Sequence, residues 1–152
     1  MAMNEMSLHE PIFVDTWGWL ALGHRHDESH YKVKQIFQRI RQDGVLIYTS
    51  DYVLNELITL LFRRENFNES IKFINSILTA SVLYQLKIER ITSNRFALAW
   101  ELRKQYKDKP YISFTDLTSM VIMQEYKIKF ILTEDKHFLQ VGMGFSIFPQ
   151  LF

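Results

Sequence analysis

The sequence predicts an α/β domain with a central, mainly parallel sheet of four to five strands. Three observations lead there. Short apolar runs of strand length recur at Ile12–Val14, Val45–Tyr48, Val82–Ile88 and Phe130–Thr133, with Phe145–Phe148 as a fifth candidate. The segments between them place apolar residues at helical spacing. Strand and helix alternate along the chain, as in βαβ crossovers, without a repeat, a linker or a second composition block.

Each element has its own signal. The run Ile12-Phe13-Val14 stops at Asp15, which reads as a buried strand running into a site. Trp17 to Leu22 continues as a short helix that Gly23 can end. From Glu28 to Gln42, Tyr31, Val33, Ile36, Phe37 and Ile40 recur at roughly helical spacing, and Asp43-Gly44 turns the chain into the second strand. Ser50 or Asp51 caps a helix running through Glu56 to about Arg64, and Asn68 caps the next, to about Thr79. After the third strand, Thr92 to Lys107 forms a charged amphipathic helix. Pro110 breaks it, and Ser113 starts the helix that precedes the fourth strand.

Composition narrows the function classes. One domain spanning residues 1–152 is expected, with residues 1–10 as an N-terminal extension; this length suffices for a sizeable core. Twelve Phe, seven Tyr and three Trp supply bulky core material. No cysteine is present, which excludes disulfides, thiolate zinc sites and a cysteine nucleophile. The opening segment MAMNEMSLHEP lacks the apolar core of a signal peptide, and the longest apolar stretches are too short to span a bilayer. A soluble, cytoplasmic protein without a membrane partner is expected. A net charge of +1 does not by itself point to nucleic acid, although a total is silent about local distribution.

Four acids stand out by placement. Asp15 ends the first strand, and Glu56 lies in the largely apolar stretch VLNELITLLF. Asp116 sits in the first turn of the helix after Pro110, and Asp135 follows FILT with Glu134 beside it. In open α/β sheets, ligands gather beyond the strand C-termini, which is where Asp15 and Asp135 fall. Two carboxylates about 5 Å apart repel by roughly 3 kcal/mol at an effective dielectric near 20. Four in one pocket therefore take up protons or hold a cation. Oxygen ligands suit a hard divalent ion, which activates water for phosphodiester cleavage. Each acid also has a plainer reading. Asp15 and Asp135 are ordinary turn formers, Asp116 suits a helix start, and Glu56 suits a solvated face.

The segments PIFVDTWGWLAL, YTSDYVLNELITLL, ISFTDLTSMVIM and FILTEDKHF resemble the four motif regions of PIN domains, in order and with suitable spacing. They are most similar to the VapC-type toxins of VapBC toxin–antitoxin pairs. The resemblance runs from about Pro11 to Phe148. It implies a three-layer PIN-like fold with strand order 3-2-1-4-5 and helices on both faces. It implies an acidic pocket binding Mg²⁺ or Mn²⁺, in which Asp15, Glu56, Asp116 and Asp135 are the metal-holding and catalytic acids. Thr16 and Thr133 match the hydroxyl residues beside the first and last acids, and Ser113 the one preceding the third. Glu134 is a candidate auxiliary acid. Leu117 departs from the small residue that often follows the third acid. The implied activity is endoribonuclease cleavage, as a toxin neutralised by a small antitoxin and assembled as a homodimer. A housekeeping RNA-processing nuclease is the near alternative.

Other clusters compete for attention. His24, His26 and His30 suggest zinc, but neither a CxxC nor an HExxH frame accompanies them, and packing or exposed histidines are the expectation. Lys87, Arg90, Arg95, Arg103, Lys104, Lys107 and Lys109 offer phosphate contacts or simply a solvated helix face. Arg63, Arg64 and Lys136 lie nearer the acids and are the preferred RNA contacts. Trp17, Trp19 and Trp100 are expected in packing before base stacking. A phospho-accepting signalling module would want paired acids after the first strand and an acceptor Asp after the third, and neither is present. A silent RNA- or protein-binding domain is opposed by retention of all four acids.

Overall fold

The computed structural model describes residues 10–148. Apart from Glu10, the expected N-terminal extension lies outside the described residues. In chain order the elements are β1 (Ile12–Val14), α1 (Thr16–Gly23), α2 (His30–Gln42), β2 (Ile47–Ser50), α3 (Asp51–Arg64) and α4 (Phe67–Val82). There follow β3 (Leu86–Glu89), α5 (Ser93–Gln105), α6 (Phe114–Tyr126), β4 (Phe130–Leu132), α7 (His137–Gln140) and β5 (Ser146–Phe148). The five strands form one sheet in the order β3-β2-β1-β4-β5, and every pairing is parallel. The fifth strand is real, and the sheet has the expected order.

Parallel central strands are covered on both faces and need apolar side chains throughout. Ile12, Phe13 and Val14 in β1 are all buried, as are Phe130, Ile131 and Leu132 in β4. Chain order runs from β1 outward to β2 and β3, then returns to β4 on the other side of β1. The switch point therefore lies between β1 and β4, where a crevice opens beyond the strand ends. Val14 pairs with Leu132 in register, so the residues that follow them emerge side by side.

Side-chain caps set the helix starts. Ser50 Oγ accepts the Val53 N–H at 3.1 Å, which selects Ser50 over Asp51 as the cap of α3. Ser113 Oγ accepts the Asp116 N–H at 3.0 Å and starts α6. The cap of α4 is Asn66, whose Oδ1 takes the Glu69 N–H at 2.8 Å, rather than Asn68. The Asn66 N–H is taken by Glu65 Oε1 at 3.1 Å, so both sides of the cap are satisfied at Asn66.

Two strands lie later than their apolar runs suggest. In the second, Val45 closes α2 by donating its N–H to Ile40 O, so the ladder begins at Ile47 and continues through the polar Thr49 and Ser50. In the third, α4 consumes the start of the expected Val82–Ile88 strand. The chain reverses at Tyr84, whose φ is 61°, before β3 opens at Leu86.

Candidate active site

The carboxylates sit where the switch point predicts. Asp15 is both the residue after β1 and the cap of α1, its Oδ1 accepting the Thr16 N–H at 2.8 Å. Its Oδ2 accepts the hydroxyl of Thr133, the residue after β4, at 2.8 Å. That bond is a direct product of the Val14–Leu132 register. Deeper support comes from Thr49, which donates to Val14 O at 3.0 Å while accepting Trp19 Nε1–H at 3.0 Å. The polar end of β2 thus ties β1 to α1 just below Asp15.

Asp116 comes from the first turn of α6 and is 7% exposed. Favouring the helix dipole does not explain burying a carboxylate without an obvious cation. Asp135 lies in the turn after β4. Its backbone N–H donates to Thr133 Oγ1 at 3.0 Å, and its Oδ1 accepts the His137 N–H at 2.8 Å. Thr133 therefore orients two of the acids at once. Glu56 reaches the same space from α3.

A single open cavity of about 520 Å³ collects these groups. Asp15, Thr16, Glu56, Arg64, Ser113, Asp116, Thr133, Glu134 and Asp135 all line it, together with Trp17, Leu20, Leu60 and Tyr111. Arg63 and Lys136 are exposed and do not line it. Of the three expected basic contacts, Arg64 alone reaches the wall.

Electrostatics follow from the crowding. Burial pushes the Asp15 carboxyl up to about 6, against the pull of its Thr133 and Thr16 hydrogen bonds, and the charges of Glu56 and Asp135 push the same way. Asp116 rises to about 9, first through burial and then through the charges of Asp15 and Asp135. Both groups are short of positive charge.

The donor set fits a divalent cation. Donor atoms of Asp116, Asp135 and His137 lie within 4.8 Å of one another, near enough to share one ion. Asp15 and Glu56 share the cavity but lie outside that tight trio. Thr16 Oγ1 is buried on the cavity wall without a hydrogen-bond partner, as a residue facing a hydrated ion would be.

Comparison with known proteins agrees with this fold. The PIN domain family matches residues 12–143. The chain belongs to the PIN-domain family. It is 30% identical over 131 residues to the 23S rRNA-specific endonuclease VapC20 of Mycobacterium tuberculosis, in each of two strains, covering 86% of this chain and 94% of that protein. The crystal structure of VapC20, described as a sarcin–ricin loop cleaving toxin, superposes with a TM-score of 0.75 at 30% identity, covering 86% of this chain and 95% of that one. PIN-domain proteins of this kind are metal-dependent nucleases.

The competing clusters resolve into packing. His24 faces Glu65 at 3.4 Å and His30 approaches Ala21 O at 2.9 Å, and neither joins the metal-compatible group. Arg95 is buried against Glu89, Glu125 and Tyr126, while Arg103 donates to the carbonyls of Tyr106, Lys109 and Ile112 and secures the Pro110 loop. Trp19 packs on Phe37 in the core, Trp100 is exposed away from the cavity, and Trp17 lies on its wall. No helix among the described residues is long and apolar enough to cross a membrane.

Two residues escaped the sequence reading. His137 stands two residues beyond Asp135 in a one-residue-spaced pair on a short turn, a pattern visible in TEDKHF but weaker than any zinc motif. Tyr111, 87% exposed at the cavity mouth, carries no sequence signal beyond its place beside Pro110.

Proposed function

We propose that this chain is a divalent-metal-dependent endoribonuclease, the toxin of a type II toxin–antitoxin pair, acting on a structured ribosomal RNA in the cytoplasm. The observation that carries the reading is the meeting of Asp15, Glu56, Asp116 and Asp135 in one cavity at the β1/β4 switch point. Similarity to a 23S rRNA-specific endonuclease supports the sarcin–ricin loop as substrate. The same kinship supports a small antitoxin as partner and a homodimer as the assembly.

In this reading Asp15, Glu56, Asp116 and Asp135 would hold the ion, Asp116 and Asp135 offering donor atoms of the tight group. When bound, a divalent ion supplies Lewis-acid polarisation of the phosphate and lowers the cost of ionising an attacking water. Thr133 fixes the Asp15 carboxylate and anchors the Asp135 backbone, while the His137 N–H holds the Asp135 carboxylate, so little reorganisation remains for the reacting state. Thr16 is free to orient water through its unpartnered hydroxyl. Glu134, on the cavity wall and exposed, is placed to accept a proton from solvent-side water. Arg64 supplies a guanidinium to the substrate phosphate, with Arg63 and Lys136 further out along the backbone path. Tyr111 and Trp17 offer ring faces to unpaired bases at the mouth. No side chain forms a covalent intermediate.

The test incubates purified protein with a sarcin–ricin loop oligonucleotide in Mg²⁺, in Mn²⁺ and in chelator. Cleavage is expected with either ion, absent in chelator and absent in Asp15→Asn. Cleavage that persists in chelator would refute the mechanism.

A further inference from the structure

His137 opens the short helix α7, and its partly buried ring brings Nδ1 against the acids. Its Nδ1 lies 2.9 Å from Asp135 Oδ1 and 4.0 Å from Asp116 Oδ2. Proximity has not produced a hydrogen bond: Nδ1 is buried and has no partner of acceptable geometry. Asp135 Oδ1 already accepts the His137 backbone N–H. Leaving a buried polar atom unpartnered is costly, so it persists where something else engages it. A second such atom, Thr16 Oγ1, belongs to a residue only 5% exposed and stands on the wall of the cavity that Asp116 and Asp135 line.

The spacing suits shared coordination. An octahedral ion with bonds of about 2.1 Å separates adjacent donors by roughly 3.0 Å and opposite donors by roughly 4.2 Å. The two distances from His137 Nδ1 fall at the first value and just below the second. With its proton on Nε2, the ring presents the Nδ1 lone pair to that point.

We propose that His137 Nδ1 is a nitrogen ligand to the divalent ion of the acidic site, and that it biases the site toward Mn²⁺ and later first-row ions over Mg²⁺. The proposal rests on the metal-site reading above and sharpens it. Mg²⁺ strongly prefers oxygen donors and retains its waters, whereas an imidazole adds affinity as the ion becomes softer. A mixed set of two carboxylates and one imidazole therefore discriminates where four carboxylates would not.

Pulsed electron paramagnetic resonance of the Mn²⁺-loaded protein tests this without reference to cleavage. The expected echo decay carries modulation from a directly bound nitrogen. In His137→Gln the modulation vanishes, Mn²⁺ binds about tenfold more weakly, and Mg²⁺ affinity changes far less. A bound Mn²⁺ spectrum lacking nitrogen modulation in the unsubstituted protein would overturn the proposal and leave the carboxylate site standing. So would modulation that survives His137→Gln, or an equal loss of affinity for both ions, which is the signature of a packing role. Failure of Mn²⁺ to bind at all would overturn this proposal and the metal-site reading together. Because the decisive spectrum is that of the unsubstituted chain, misfolding of the variant does not decide the outcome.

Discussion

Thr133 is the hinge of the acidic cluster, since one hydroxyl donates to Asp15 Oδ2 and accepts the Asp135 N–H. Thr133→Val keeps the shape and removes both bonds. Divalent-ion affinity, measured by calorimetry, is expected to fall by about tenfold, with the circular dichroism spectrum unchanged. Asp116 predicts an opposite effect on stability. Its carboxyl, pushed up to about 9, keeps in the folded chain a proton that the unfolded chain releases near its ordinary value of 3.8. Asp15, at about 6, does the same over a narrower range. The native state thus binds more protons between about pH 4 and 9, so metal-free stability falls as pH rises through that window. Asp116→Asn mimics the protonated form and removes most of this dependence. Melting in chelator between pH 5 and 9 is expected to show a declining Tm in the unsubstituted chain and a flatter, higher curve in the variant. Asp15 and Glu56 stood out in the sequence by ending or interrupting apolar runs, and Asp116 and Asp135 by their places at a helix start and after a strand, but the set of four came from resemblance to a family. His137 did not stand out, because a histidine in a polar turn looks the same whether or not it faces a site.

Helix α1 carries the site's geometry through close contact with β4. A Cβ at Gly18 would stand 3.0 Å from Leu132 O, from Leu132 Cγ and from Val14 Cγ1, tighter than ordinary packing. Backbone cannot yield as a side-chain tip can. Gly18→Ala gains roughly 1 kcal/mol of helix propensity, but overpacking costs typically 1–3 kcal/mol. Net destabilisation is expected in urea melts, together with weaker metal binding, because α1 and β4 hold Asp15 and Thr133 at their ends. Unchanged stability would show that α1 shifts freely. The elements themselves were readable where one period dominates: β1, β4, α3 and α6 lie where apolar pattern and cap place them. The misread edges all involve competition between neighbours. The apolar run after Thr79 suits helix or strand equally, and α4 takes it up to Val82 before the turn at Tyr84. Likewise Val45 and Leu46 satisfy a strand pattern, yet hydrogen bonding to Ile40 O binds Val45 to the helix end.

Taken together, the sheet order does what no local pattern could: it brings residues 15, 56, 116 and 135 into one cavity. Alternating strands and helices pointed to a parallel sheet, but strand order came from resemblance to a family, because crossover direction leaves no mark in composition. The electrostatic consequence is a site that stores protons until a cation replaces them. Asp116, pushed up to about 9, is the group expected to carry a proton at pH 7, so an entering ion is expected to displace about one proton. Titration calorimetry of Mn²⁺ into the metal-free protein, repeated in buffers of different ionisation enthalpy, counts that proton directly. Release of about one proton per ion at pH 7, lost along with tight binding in Asp116→Asn, is the expected result. Tight binding with no proton released, or binding that Asp116→Asn leaves intact, would contradict a metal held by these buried acids.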